Sequence, residues 1–204
     1  MQATYADILR PARPVSAPAY DAAAVVAGSV FVGLMAQVAF FLPFTIVPVT
    51  MQTFAVLLVG ALLGSRRGAA ALALYLAEGL AGLPVFAHGG FGPMHFAGPT
   101  GGYLIGFVAA AWLTGRLAEC GWDRRVGTTL AAMTLGTAVI FASGLAWLIP
   151  WIAAAEGSGL PRAFPLALTT GLLPFLPGAA VKVALAAGVL PMGWRLLRRL
   201  TIRR

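Results

Sequence analysis

Two charged side chains fall inside long apolar stretches: Glu78, in Leu76-Ala77-Glu78-Gly79-Leu80, and Lys182, in Ala180-Val181-Lys182-Val183. Lys182 is the only lysine among the 204 residues. An ammonium group in apolar surroundings is costly unless it is paired or faces a cavity, so two readings stand side by side. Glu78 and Lys182 form a buried structural pair, or they hold the charged and polar ends of an amphipathic ligand. A second concentration of chemistry lies between Gly82 and Tyr103. It contains Phe86, His88, Gly89, Gly90, Phe91, His95, Gly101, Gly102 and Tyr103. Glycine lets backbone amides come close to a ligand, and two imidazoles and a phenol supply donors and acceptors. The composition equally suits a flexible hairpin. A third segment, Leu42 to Gln52, carries Pro43 and Pro48 and ends on a polar amide. Prolines forbid a continuous helix there, yet the segment is apolar, which suits a loop tucked over a cavity.

These residues point to binding rather than catalysis. His88 and His95 have no cysteine or carboxylate at metal-ligand spacing, so no metal site is expected. Cys120 is the single cysteine and has no partner for a disulfide. No phosphate-binding glycine loop followed by Lys-Ser/Thr occurs, so the chain is not expected to hydrolyse ATP by itself. Ser143 would need a glycine two residues before it and a histidine on a later helix to act as a rhomboid-type nucleophile. Phe141 holds the first place, and both histidines come earlier. An intramembrane hydrolase is therefore the weaker alternative, and a small channel or scaffold leaves Lys182 unexplained.

The elements that position these groups follow from composition. Apolar residues make up 60% and charged residues 10% of the chain, against about 25% charged in soluble domains. The composition predicts an all-α integral membrane protein. A helical crossing takes about 20 mostly apolar residues. Six such stretches are expected: 20–41, with Gln37 strongly polar beyond its first turn, then 49–64, 68–83, 101–117, 126–151 and 177–197. Barrel strands would alternate in polarity, and these segments are apolar on every face. Residues 1–19, with Pro11, Pro14 and Pro18, form an irregular cytoplasmic lead-in rather than a secretory signal. Residues 20–197 form the transmembrane domain, and 198–204 a basic tail. There is no internal repeat of the inverted-transporter kind.

The net charge of +8 reflects arginines clustered between the spans, without a nucleic-acid recognition motif. Arg10, Arg13, Arg66, Arg67, Arg116, Arg124, Arg125, Arg195, Arg198, Arg199, Arg203 and Arg204 all fall on one side if there are six crossings. The positive-inside rule makes that side, with both termini, cytoplasmic. Lys182 and Glu78 then sit near the external face, together with the three irregular segments.

At this point four motifs, in order along nearly the whole chain, resemble the BioY family. They are Val49-Thr50-Met51-Gln52-Thr53, Gly82-Leu83-Pro84-Val85-Phe86-Ala87, Gly98-Pro99-Thr100-Gly101-Gly102-Tyr103, and Phe175-Leu176-Pro177-Gly178 ending at Lys182. The resemblance implies a substrate-binding (S) subunit of an energy-coupling-factor (ECF) transporter in a bacterial cytoplasmic membrane. It implies biotin as the transported ligand, no cofactor, and as partners a transmembrane coupling subunit, ABC-type ATPase subunits and membrane lipid. It also implies a ligand cavity near the external face, covered by the loop between the first two spans. Carried over by position, Gln52, the run Phe86 to Phe91, Gly101, Gly102, Tyr103 and Lys182 contact the ligand. Two places depart from the family pattern. Ala179 stands where an aspartate is usual, and Leu104 stands where some relatives have an arginine. Glu78 or His88 is expected to replace part of that missing hydrogen bonding.

The chemistry of biotin suits these residues. Its carboxylate wants a cation, which Lys182 can supply, and its ureido group wants paired donors and acceptors. Phe44, Phe86 and Phe91 are candidate apolar walls. Whether Lys182 meets the carboxylate or the ureido end stays open. An S subunit for another vitamin, of thiamine or riboflavin type, would share the architecture but not the Gly-Leu-Pro-Val-Phe and Gly-Pro-Thr-Gly-Gly-Tyr pair. Membrane helices dock through small residues, so Ala23 and Ala27 on the first span, with an edge through Gly28, Ser29 and Gly33, are the expected coupling-subunit contact.

Overall fold

The computed structural model describes residues 2–11, 16–157 and 159–201. Arg13 and the whole of the proposed basic tail, 198–204, lie outside the residues whose side chains are described. Among the described residues three stretches are long and apolar enough to cross a membrane unaided. They are α2 (Ala17–Gln37), α7 (Val126–Ala155) and the run from α8 (Leu160–Gly171) through α9 (Leu176–Thr201) as far as Leu197. Around them pack α3 (Gln52–Leu63), α4 (Ser65–Leu80) and α6 (Gly101–Glu119), with the short α1 (Tyr5–Leu9) and α5 (Gly92–Phe96) at opposite ends.

The lead-in is more ordered than its prolines suggest. Thr4 and Asp7 form a capping box, in which each side chain hydrogen-bonds to the other's backbone N–H, and this starts α1. Pro18 falls in the first turn of α2, where a missing N–H costs nothing.

Span lengths differ from expectation at three places. The first ends at Gln37, because Ala39–Phe40 (β1) pairs antiparallel with Val49–Thr50 (β2) instead of continuing as helix. The second contracts to the twelve residues of α3, since Val49 and Thr50 belong to that strand pair. The third starts at Ser65 rather than Gly68. Gly64 adopts φ +86° and reverses the chain in a single residue, while the Glu119 carboxylate accepts hydrogen bonds from the Ser65 N–H and Oγ, both 2.7 Å. Arg66 and Arg67 therefore lie in the first turn of α4, not in a loop.

Close backbone approach holds the interior. A Cβ on Gly68 would lie 2.9 Å from the Gly60 Cα, and one on Gly60 would lie 2.4 Å from the Ala111 carbonyl. So α3 is pressed between α4 and α6, with Ala55, Val56 and Ala61 fully buried. Gly102 and Gly106 let α6 settle on Ser143 and Trp147 of α7. The pairs Gly60/Gly64 and Gly102/Gly106 thus close the bundle internally. After a 3-10 turn at Leu173–Phe175, α9 retraces α7. Gly171 lies against Leu148, and further along the Trp194 Nε1 donates to Asp123 Oδ2 at 2.6 Å.

Candidate functional site

A cavity of about 60 Å³ opens among the helix ends opposite the N-terminus, several times the ~10–15 Å³ that one water needs. The β2 segment contributes Val47, Pro48 and Thr50, and α3 contributes Gln52, Thr53 and Leu57. The loop after α4 supplies Phe86 and Ala87, and α5 supplies His95. Thr100 and the first turns of α6 (Tyr103, Leu104, Phe107) form another wall. Thr137 and Phe141 of α7, then Phe175, Ala179 and Lys182, close it.

Lys182 projects from α9 towards α3. Its Nζ donates to the Thr50 carbonyl at 2.5 Å and to Thr53 Oγ1 at 3.0 Å. The lining contains no carboxylate, so the ammonium is the cavity's single formal charge. The Glu78–Lys182 pair is not formed. Glu78 turns to α2, where its carboxylate accepts a hydrogen bond from Ser29 Oγ, and it lies outside the lining.

Gln52, only 4% exposed, is tied on both sides of its amide. Its Nε2 donates to the Tyr75 hydroxyl at 2.6 Å, and Tyr75 passes the bond on to the Val85 carbonyl at 3.1 Å. Its Oε1 accepts from Thr50 Oγ1 at 3.0 Å. This chain links β2, α3, α4 and the loop that carries Phe86. The Phe86 ring is fully buried, edge-on to Tyr75 with centroids 5.5 Å apart. It lies over Gly79, where a Cβ would sit 2.2 Å from Cζ. Gln37 holds the same loop from α2: its Nε2 donates to the Phe86 carbonyl, and its Oε1 accepts from the Gly89 N–H.

With this geometry in place, comparison with known proteins decides the family. The BioY family profile matches residues 9–199. The chain belongs to the BioY family. A Rhizobium etli protein named biotin transporter BioY is 37% identical over 153 residues, covering 72% of this chain and 77% of that protein. A Rhodobacter capsulatus protein of the same name is 44% identical over 147 residues, covering 67% and 73%. The crystal structure of the S-component for biotin from an ECF-type ABC transporter superposes with a TM-score of 0.71 at 22% identity. It covers 90% of this chain and 95% of that one, and shares the fold.

Within this BioY chain, the structure separates the expected site residues into groups. Gln52, Phe86, Tyr103 and Lys182 line the cavity. Tyr103 is buried, its hydroxyl donating to the Gly171 carbonyl at 2.8 Å. Gly101 and Gly102 set the approach of α6 to Phe96 and Trp147 rather than facing the cavity. Gly89 and Gly90 shape the turn, Gly89 at φ +71°. Gly90 leaves room for His95, because a Cβ there would lie 2.4 Å from its Cε1. His88 is exposed, held at φ 57° and stacked on Phe41 with centroids 4.8 Å apart, outside the cavity lining. Phe91 and Phe44 are 58% and 60% exposed and are not walls of the cavity.

Two supporting residues were missed by sequence reasoning, and each left a trace. Gln37 is the strongly polar residue at the far end of its span, well away from Asp21 in the first turns, and Tyr75 is the one phenol in α4. On the outer face of α2, Ala23 and Ala27 are exposed beside Val30 and Leu34. Gly28, Ser29 and Gly33 turn inwards instead. A Cβ on Gly28 would lie 2.9 Å from the Ala71 Cβ.

Proposed function

We propose that this chain is the biotin-capture S subunit of an ECF transporter, a membrane transport component rather than an enzyme. The observation that carries this reading is the cavity itself. One ammonium and several neutral polar groups sit among aromatic and aliphatic walls, in a chain whose relatives are named biotin transporters. Biotin has the matching parts: one carboxylate, one polar ureido group and an apolar thiophane-valerate frame. A ligand largely enclosed by apolar walls and oriented by a few polar groups is the usual form of a small-molecule site.

In this proposal α2, α3, α4, α6, α7 and α9 are the six crossings, both termini lie in the cytoplasm of a bacterial cell, and the cavity opens near the external face. The arginine distribution supports that orientation. Three crossings have the length and apolarity to stand alone. The short α3 is shielded by protein, which relaxes its length requirement. The exposed Ala23 and Ala27 would meet the transmembrane coupling subunit, which in turn engages ABC-type ATPases, with lipid covering the remaining apolar flanks.

Titration of the detergent-solubilised protein with biotin tests the reading. Saturable binding at one site is expected, with biotin identified by mass spectrometry in the purified sample. Binding of thiamine or riboflavin without biotin would overturn it in favour of another vitamin.

A further inference from the structure

A second concavity, a groove of about 440 Å³, runs between α7 and α9 on the outside of the bundle. Leu130, Thr134 and Ala138 of α7 line it together with Leu176, Ala180 and Val183 of α9, and no lining residue is charged. Thr137, Phe141 and Ala179 line both the groove and the cavity, so they form a wall common to the two. Both helices belong to stretches long and apolar enough to cross a membrane, so the groove opens onto hydrocarbon. It lies apart from the exposed Ala23 and Ala27, because α2 packs against α3 and α4. Eleven residues separate Leu130 from Phe141, about 16 Å of helix, so this volume admits a hydrocarbon chain but not a helix about 10–12 Å across.

Towards the end that carries the N-terminus, the exposed stripe of α7 continues from Leu130 through Val126 to Arg125. There the Arg124 guanidinium lies over the Trp194 ring of α9. Arg125 and Arg195 stand next in sequence to the two members of that contact. Both are exposed, and among the described residues neither is in an ion pair. The acid beside them, Asp123, is buried and bonded to Trp194. An uncharged groove in the span thus ends at a basic mouth.

We propose that this groove seats one acyl chain of an anionic phospholipid whose phosphate meets Arg125 and Arg195. The proposal needs α7 and α9 in the bilayer and is independent of which vitamin the cavity holds. Hydrocarbon fills an apolar groove without leaving a polar group unpaired, whereas water there would find almost no partners. Guanidinium groups bind phosphate oxygens in a fork geometry, and basic residues at a membrane surface favour anionic over zwitterionic headgroups. A chain seated here backs Thr137, Phe141 and Ala179 from the lipid side. The bound lipid then completes the outer wall of the cavity.

Native mass spectrometry of the full-length protein, delipidated in detergent and then given phosphatidylglycerol or phosphatidylcholine, tests this. The parent should retain one phosphatidylglycerol per chain and prefer it over phosphatidylcholine by about fivefold or more. Ala138→Phe and Ala180→Phe fill the groove from opposite walls, without touching the cavity lining, and each should abolish the retained lipid. Leu135→Phe, exposed on α7 but outside the groove, should keep it. Replacing Arg125 and Arg195 together by glutamine should bring the two lipids within about twofold of each other. If the parent retains no lipid, or both groove-filling variants retain it like the parent, the proposal is wrong. A parent dimer that Ala138→Phe converts to a monomer would give the groove to a second copy of the chain and overturn it equally. An unchanged lipid preference in the double arginine variant would remove the headgroup assignment. None of these readouts involves biotin.

Discussion

At the end of the bundle that carries the N-terminus, Arg67 links Asp7 to Asp21, Arg10 reaches Asp21 at 2.6 Å, and Arg116 pairs with Glu119. Beneath them Asp123, 1% exposed, accepts from Trp194, and the Arg124 guanidinium lies 4.5 Å over the Trp194 ring. Tyr5 of α1 packs on the same indole and donates to the Leu190 carbonyl. At the cavity end no ion pair lines the walls. The irregular segments there are fastened by neutral amides, phenols and glycines, and the one cation bonds a carbonyl and a hydroxyl. Surface ion pairs each contribute little, but together with helix capping they fasten one end without any ligand. The other end keeps its strongest electrostatic partner uncommitted to any anion. Substitutions at the cavity end should therefore change binding more than stability, and substitutions at the N-terminal end should do the reverse.

The largest expected effect tests that contrast directly. Removing one partner of a buried charge interaction costs about 3–5 kcal/mol. Lys182→Met should weaken biotin binding by roughly two to three orders of magnitude and leave the melting temperature nearly unchanged. Parental affinity would remove Lys182 from the binding site. Gly79→Val comes next. Its branched side chain collides with Phe86, so binding should fall at least about tenfold through loss of the wall, with some loss of stability as well. Gln52→Ala cuts the Thr50–Gln52–Tyr75 chain, and a buried phenol losing its partner costs about 1–3 kcal/mol. That loss should divide between affinity and melting temperature, which calorimetry and thermal unfolding can separate.

At the opposite end the effect should be smaller and confined to stability. Burial raises the Asp123 carboxyl above its ordinary pKa, only partly offset by the Trp194 N–H and by Arg124. The folded state therefore favours the protonated acid. Its contribution is present in acid and is lost as pH rises from the unfolded pKa through the higher folded one. Asp123→Asn keeps an acceptor for Trp194 without the charge, so its melting temperature relative to the parent should rise between pH 4 and pH 7, with biotin affinity unchanged. The smallest effect is expected for Glu78→Gln, which should bind biotin within about threefold of the parent because the side chain faces Ser29. A large loss would move Glu78 back into the ligand's surroundings.

Glu78 also illustrates what a sequence can and cannot convey. Counting residues along apolar spans gives depth, and by depth Glu78 and Lys182 belong together. Azimuth depends on where each helix starts and how it packs, and the turn at Gly64 sets both for α4. The histidines make the same point. His88 and His95 are chemically identical candidates, yet a left-handed backbone at His88 turns one outwards, while Gly90 admits the other to the cavity lining. Lys182, Tyr103 and Phe86 were legible because their types are conspicuous in their settings. Gln37 and Tyr75 were not, since they act by holding a loop rather than by facing a ligand, and that role exists only in three dimensions.

The glycine turn between α3 and α4 bears on how the chain enters the bilayer. Twelve residues extend only about 18 Å as a helix, short of the ~20 residues that a crossing requires. Leaving the insertion machinery singly, α3 would not partition into lipid. In the six-crossing arrangement proposed above, α3 is joined back to back with α4 through Gly64 and would enter as half of a helical hairpin whose apolar surface is counted together. The carboxylate that caps the turn arrives only with Glu119, 54 residues downstream of Ser65. In the proposed six-crossing arrangement the capped turn is complete only once α6 is present, so a bulky residue at Gly64 should appear first as failed insertion and degradation rather than as a defect in ligand capture.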